Sequence, residues 1–495
     1  MAEPVDRPTD EPLSRWGRWN APKNLKRGSG PESLRLAAGS AVLGLAVAAG
    51  AVLAAGPWDS GQRKAERDRV AVQQRAGGAH HEGTAPDGPE PAPSAPAVLS
   101  PLGATGGLTA PAGASGLEAA LAPLLDAPAL GTVRSAVVID TATGKQVYAR
   151  GAATPMTPAS TVKIATAAAA LSALGPAHRI ATTVALSPDS RTLTLVGGGD
   201  PTLDKAALRA LAAGTARSLR DGGTGPVRLT YDTSRYSGPA LHPIGPDNEN
   251  IAPVSALMAD EGRLDGSDRG TAPRTDDPAG DAARAFADAL GDAGVTTRPA
   301  PARGRAPAGA RTVATHLSKP LSALVERALT NSDNDIAEAL ARQTAIKAGE
   351  PASFAGGRRA VTARLKALGL PLAGARLADG SGLDRADKVT AGLLARLLAL
   401  AAGPDHPELR PVLTGLPVAG FSGTLGDRYT ATSPATGLIR AKTGTLTGVN
   451  SLAGTAVDAR GRLLAFAFLA SGTTSEGEAE AALDTLAVAL TKGTR

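Results

Sequence analysis

Ser160-Thr161-Val162-Lys163 opens an alanine-rich run, Thr161 to Leu174, that ends at Gly175-Pro176. That run reads as a helix with a stop signal, with Pro158 and Ser160 at its start. Positions i and i+3 share a helix face, so Ser160 and Lys163 become neighbours. Two more strings follow in order, Ser332-Asp333-Asn334 and Lys442-Thr443-Gly444-Thr445, and the patterns SxxK, SxN and KTG each occur once. Each alone also fits a bland reading: an ordinary surface helix, a helix N-cap, a turn. In this order they supply a nucleophile, two candidate proton carriers and a cationic substrate anchor.

Opening an amide or ester near neutral pH takes an activated nucleophile. Ser160 at a helix start enjoys the positive end of the macrodipole. Lys163 can take its proton only when neutral, which requires desolvation and a neighbouring positive charge. Lys442 is expected to supply that charge if its strand lies beside the helix. Ser332 is a candidate relay to the leaving amine, and the Asn334 amide a holder of Lys163 or of a substrate backbone group. Asn331 to Asn334 equally suits a helix N-cap, and both roles can coexist; Asp333 has no required role. Lys442 with the hydroxyls of Thr443 and Thr445 suits a terminal carboxylate, and Gly444 removes a side chain where a substrate approaches the strand. The strand edge can pair with an extended peptide. The backbone N–H groups of Thr445 and Ser160 would form an oxyanion hole, worth about 3–4 kcal/mol per donor.

Composition narrows the alternatives. The chain has 495 residues, 42% apolar but only 2% aromatic, so its core must be built from Ala, Leu and Val. It has no cysteine, which excludes a disulfide scaffold, a thiol nucleophile and thiolate metal ligands. Its six histidines form no H-E-x-x-H pair, which argues against a zinc hydrolase and a Ser-His-Asp triad. His242 and His316 remain possible bases in principle. No metal or cofactor is expected. The 52 Lys+Arg against 46 Asp+Glu are dispersed and lack aromatic company, a poor pattern for nucleic acid.

Leu36 to Gly56 is an uncharged run long enough for one membrane-spanning helix. Arg15, Arg18, Lys23, Lys26, Arg27 and Arg35 precede it, which puts a head of residues 1–35 in the cytoplasm. The long polar head favours a retained anchor (36–56) over a cleaved signal peptide. Residues 57–115 read as a disordered Pro/Ala/Gly-rich stalk. This arrangement places a tethered domain outside the cell membrane. Folded sequence begins near Gly116, with a helix at Leu117–Leu125 and a hairpin of Ser135–Asp140 and Lys145–Tyr148 around Thr141–Gly144. Residues 116–180 and 312–495 read as the catalytic domain and 181–311 as an insert, with Pro299–Arg311 mobile. Helices are expected at Ala282–Ala293, Leu321–Leu329, Asp335–Ile346 and Ala391–Ala402. Leu438–Thr443, Asn450–Val457 and Leu463–Leu469 read as consecutive antiparallel strands before a terminal helix, Glu478–Thr491. Strands from both chain ends around central helices suggest one sheet assembled from the two termini.

Beyond the three motifs stand Gly198-Gly199-Asp200-Pro201-Thr202-Leu203, Ala252-Pro253-Val254-Ser255-Ala256-Leu257, Asp379-Gly380-Ser381-Gly382-Leu383 and Leu416-Pro417-Val418-Ala419-Gly420. With these, the chain from about Ala119 onward resembles the D-alanyl-D-alanine carboxypeptidase/endopeptidase family. These are the larger low-molecular-mass penicillin-binding proteins of the serine β-lactamase/transpeptidase superfamily. The resemblance implies an α/β (α+β) fold, an antiparallel sheet flanked by helices with an inserted smaller domain. It implies Ser160 as the acylated nucleophile, Lys163 as base, Ser332 and Asn334 as relay and binder, and Lys442, Thr443 and Thr445 as substrate anchors. Peptidoglycan stem peptides are the implied substrates and β-lactam antibiotics the implied inhibitors. Gly262 to Asp276 has no clear counterpart in the family, and the insert looks shorter than usual. Asp379 to Leu383 either shapes the pocket or is a structural turn. The competing functions are a β-lactamase and a non-catalytic cell-wall-binding or β-lactam-sensing protein.

Overall fold

The computed structural model describes residues 114–222, 226–429 and 432–492. The expected head and membrane anchor, and the stalk up to its last two positions, lie outside them. Among the described residues no helix is long and apolar enough to cross a membrane.

Helix α1 (Ala114–Leu125) leads into a hairpin of β1 (Val133–Asp140) and β2 (Gln146–Arg150). The Asp140 carboxylate closes its turn by accepting the N–H groups of Ala142 and Thr143. A 3-10 turn, Ala159–Val162, then runs straight into α2 (Lys163–Leu174). The insert follows, with β3 (Ala181–Leu186), β4 (Thr192–Val196), α3 (Lys205–Asp221), β5 (Arg228–Asp232), α4 (Pro278–Asp292), β6 (Ala302–Arg303) and β7 (Arg311–Leu317). The chain returns through α5 (Leu321–Thr330), α6 (Asn334–Lys347), α7 (Phe354–Ala367), α8 (Ala391–Ala402) and the short α9 (Arg410–Thr414). It ends with β8 (Ile439–Leu446), β9 (Val449–Val457), β10 (Leu463–Ser471) and α10 (Glu476–Thr491).

The first sheet has the order β2-β1-β10-β9-β8 and is antiparallel throughout. N- and C-terminal strands therefore share one sheet, as the patterning suggests. Side chains alternate between its faces. Phe466 and Phe468 of β10 pack with Val138, Leu121 and Leu486 under α1 and α10, while Ala465, Ala467 and Leu469 face the layer of α2, α5, α6 and α8. Burying each phenylalanine contributes roughly 1.5–3 kcal/mol. Every residue of α2 from Lys163 to Leu171 is buried, so it is a central helix whose alanines let its neighbours close in.

The second sheet, β6-β5-β4-β3-β7, mixes parallel (β4–β5, β5–β6) and antiparallel (β3–β4, β3–β7) pairs. Val184, Leu193, Leu195, Leu211, Phe286 and Leu290 form its core with α3 and α4. Two expectations change here. The stretch 299–311, expected only as a mobile connection, carries the two-residue β6, paired with β5. The second sheet also runs on through β7 to Leu317, past the edge expected at 311. β7 is an edge strand with no buried residue, so no apolar alternation marks it in the sequence.

Candidate active site

Ser160 sits in the 3-10 turn that precedes α2, beside Ala159 at φ 48°. Ser332 lies in the break between α5 and α6 and itself has φ 59°. A left-handed backbone at a residue with a β-carbon costs about 1–3 kcal/mol and is retained where the surroundings enforce it. Both serines line one cleft of about 440 Å³, together with Asn334, Thr443 and Thr445. The three motifs, more than a hundred residues apart in sequence, therefore converge. The insert closes another wall with Ile244, Asn250, Arg263 and Arg274, and the stretch 262–276, expected to lack a family counterpart, falls within the residues that the family's profile matches.

Lys163 lies behind Ser160, almost entirely buried at 1% exposure. Its Nζ donates to Ser160 Oγ (3.0 Å), Asn334 Oδ1 (2.7 Å) and the Ser381 carbonyl (2.6 Å). The Asn334 amide is used in both directions, because its Nδ2 also donates to the Asn250 carbonyl of the insert at 2.9 Å. Burial pulls the Lys163 pKa down from 10.5 to about 8, against the opposing pull of the Asp379, Asp333 and Glu338 carboxylates. Burial is the main cause, and the charge coupling between Lys163 and Lys442 shows on Lys442. Its own pKa is the one driven well below the lysine norm, by burial and then by Lys163 and Arg428.

The Ser381 carbonyl that receives Lys163 is held by a dense set of acceptors. Glu338 Oε1 takes the N–H groups of Gly380 and Ser381, both at 2.9 Å. Asp379 takes Ser381 N–H, Gly382 N–H and Asp384 N–H, and its Oδ2 meets His242 Nε2 at 2.9 Å. Burial works against a charge on His242, yet the Asp379 hydrogen bond and the nearby Glu338 raise its pKa overall. Asp387 holds a proton beside the ionised Asp379, since burial and that neighbouring charge push its pKa up to about 10. The Asp379–Leu383 string is therefore more than a turn. His242 acts here through Asp379, and no motif marks Glu338, which sits within α6.

Strand β8 carries the third motif, paired with β9 so that Gly444 stands opposite Ser451. A β-carbon on Gly444 would lie 2.3 Å from Ser451 Oγ, 2.7 Å from the Pro158 carbonyl and 3.1 Å from Ser160 N. What approaches this strand so closely is the turn that bears the nucleophile. Residues 417–419 cover the edge of β8 only as far as Ala441. Thr443 Oγ1 donates to Thr424 Oγ1 (2.8 Å), and Thr445 Oγ1 to Glu480 Oε1 (3.2 Å). Lys442 is fully buried, and its Nζ donates to the Thr443 carbonyl at 2.8 Å and is not among the groups lining the cleft. Arg428, which no motif flagged, lines the cleft together with Arg263 and Arg274, and it shares the acceptor Glu480 Oε1 with Thr445.

A second buried group ties the insert to this site. Glu261, Asp333 and Asp335 bring carboxylate oxygens within 4.8 Å of one another, and Arg263, Arg274 and Arg327 pair with them. Asp333 caps α6 by accepting the Ile336 N–H at 3.0 Å, so the N-cap reading and the assembly of the site hold together.

The profile of the D-Ala-D-Ala carboxypeptidase 3 (S13) family matches residues 117–267 and 264–492. The chain belongs to that family. Its sequence is 39% identical to a carboxypeptidase of Mycobacterium tuberculosis, over 83% of this chain and 91% of that one. It is 37% identical to the carboxypeptidase DacB of Mycolicibacterium smegmatis, over 92% of this chain and 97% of that one. The crystal structure of penicillin binding protein 4 from Haemophilus influenzae shares the fold, with a TM-score of 0.62 at 24% identity, covering 75% of this chain and 98% of that one. As a member of the S13 family the chain is a hydrolase of the serine D-Ala-D-Ala carboxypeptidase type.

Proposed function

We propose that Ser160 attacks the carbonyl between the last two residues of a peptidoglycan stem peptide ending in D-Ala-D-Ala. The observation that carries this reading is the buried Lys163, its Nζ 3.0 Å from Ser160 Oγ and its pKa lowered by burial to about 8. Lys163 takes the hydroxyl proton as the C–O bond forms, and the oxyanion rests on the N–H groups of Ser160 and Thr445. As the C–N bond breaks, the proton passes through Ser332 to the departing D-alanine amine. Water then hydrolyses the acyl-enzyme, with Lys163 again accepting a proton. Among the described residues none pairs with the edge of β8 beyond Ala441, which suits an extended peptide backbone. Asn334 holds Lys163 in place. Lys442 fixes the Thr443 carbonyl from beneath, and Thr443 and Thr445 present their hydroxyls to the substrate. β-Lactams would acylate the same serine, and the Leu36–Gly56 run behind its basic head would tether the enzyme outside the membrane.

The test is release of D-alanine from a D-Ala-D-Ala peptide by the purified chain, alongside penicillin acylation and its reversal. Release of D-alanine with slow loss of the penicillin adduct supports the carboxypeptidase. Fast penicillin turnover without D-alanine release would instead assign a β-lactamase.

A further inference from the structure

With Lys442 buried beneath the strand, the cleft must meet the substrate's terminal carboxylate with other groups. Thr445 Oγ1 and Arg428 NH1 converge on one carboxylate oxygen, Glu480 Oε1 of α10, at 3.2 and 3.3 Å. Both contacts exceed the 2.7–2.9 Å of a strong charge-assisted bond. The Glu480 side chain is 28% exposed, so it can swing into water. Arg428 would stay behind, because its other edge is fixed in a two-point bond to Asp484, Nε to Oδ2 at 3.1 Å and NH2 to Oδ1 at 2.8 Å. Arg428, Thr445 and Glu480 all line the same cleft as Ser160.

We propose that Arg428 and the Thr445 hydroxyl form the binding site for the substrate's C-terminal carboxylate, and that the Glu480 carboxylate occupies it until the substrate displaces it. Glu480 already makes the contacts that such a carboxylate would need. Its like charge makes the two mutually exclusive, so it weakens binding of substrates with a free carboxylate and leaves neutral ones unaffected. The guanidinium supplies the charge that the buried Lys442 does not present. This inference rests on the carboxypeptidase reading above and names the group that recognises the end of its substrate.

The experiment compares kcat/KM for a peptide ending in D-Ala-D-Ala with that for the same peptide as its C-terminal amide. The readout is the ratio of the two, which a general loss of activity does not move. Arg428→Gln should lower the ratio about tenfold or more. Glu480→Gln should raise it several-fold through KM, and that gain should vanish in the Arg428→Gln, Glu480→Gln double variant. Should Arg428→Gln fail to fold with Asp484 left unpaired, Arg428→Lys keeps the charge but loses one of the two contacts, and its ratio should still fall. An unchanged ratio in the Arg428 variants, or a Glu480→Gln gain that persists without Arg428, overturns the inference. Failure of the wild-type chain to cleave either peptide would instead count against the carboxypeptidase reading itself.

Discussion

Lys163 has to be a cation-forming side chain whose neutral form lies within reach near neutral pH, and its surroundings reconcile the two demands. Burial lowers its pKa to about 8, while three acceptors, Ser160 Oγ, Asn334 Oδ1 and the Ser381 carbonyl, take its protons and hold it in line with the nucleophile. Only the neutral form accepts the Ser160 proton, so the rate of penicillin acylation should rise with pH and level off above a midpoint near pH 8. Acylation rates measured across that range check this, and a profile already flat from neutrality upward would point to a different base. His242 is a positioning residue in the same chain of contacts. Nε2 bonds to Asp379, whose loop presents the Ser381 carbonyl to Lys163.

At the level of elements, the site is a joint between the turn before α2 and strand β8, and Gly444 sets how close they come. Gly444→Ala would drive a methyl group into Ser451 and the Pro158 carbonyl, which the backbone can relieve only by parting the two elements. Overpacking of this kind costs about 1–3 kcal/mol. The variant should melt several degrees lower and acylate at least about tenfold more slowly, as thermal unfolding and penicillin labelling would report. A variant with unchanged acylation would dissociate the joint from the chemistry. Much of this architecture was legible beforehand. The helix expected at Leu321–Leu329 is α5, and the strands expected from Leu438, Asn450 and Leu463 are β8, β9 and β10, because apolar periodicity and glycine stops mark them. Helix α7 was not legible, since Gly356 and Gly357 stand in its first turn and argue against a helix. Gly357 serves packing instead: a β-carbon there would already press on Ala341 of α6 at 3.3 Å. The three motifs line one cleft, and His242, a possible base in sequence, meets Asp379 instead, but Arg428, Glu480 and Glu338 are ordinary residues in sequence and acquire their positions only through long-range contacts.

For the molecule as a whole, insert and catalytic layers are joined through buried charge. Glu261 pairs with Arg263 and Arg327, and Asp335 pairs with Arg274 and accepts the Ala252 N–H. Burial raises the pKa of Glu261 to about 8 and those of Asp335 and Glu338 to about 7. The folded chain therefore holds protons that the unfolded chain has released above about pH 5, and stability is lost as pH rises through the folded values. Lys163 works in the opposite direction only from about 8 toward 10.5, and Lys442, driven further down, also opposes them, one amine against three carboxyls below about pH 8. The melting temperature should accordingly fall between about pH 6 and about pH 8, and scanning calorimetry across that window would show it. A rising melting temperature there would mean that these carboxylates are ionised throughout. The central claim is that three distant motifs fold into one acylating site on Ser160. Intact-mass and peptide-level mass spectrometry after penicillin treatment tests it most directly. The account predicts one penicilloyl group per wild-type chain, on the peptide containing Ser160, and none on a Ser160→Ala variant that melts at the same temperature. An adduct on any other residue, or one that persists in Ser160→Ala, would contradict it.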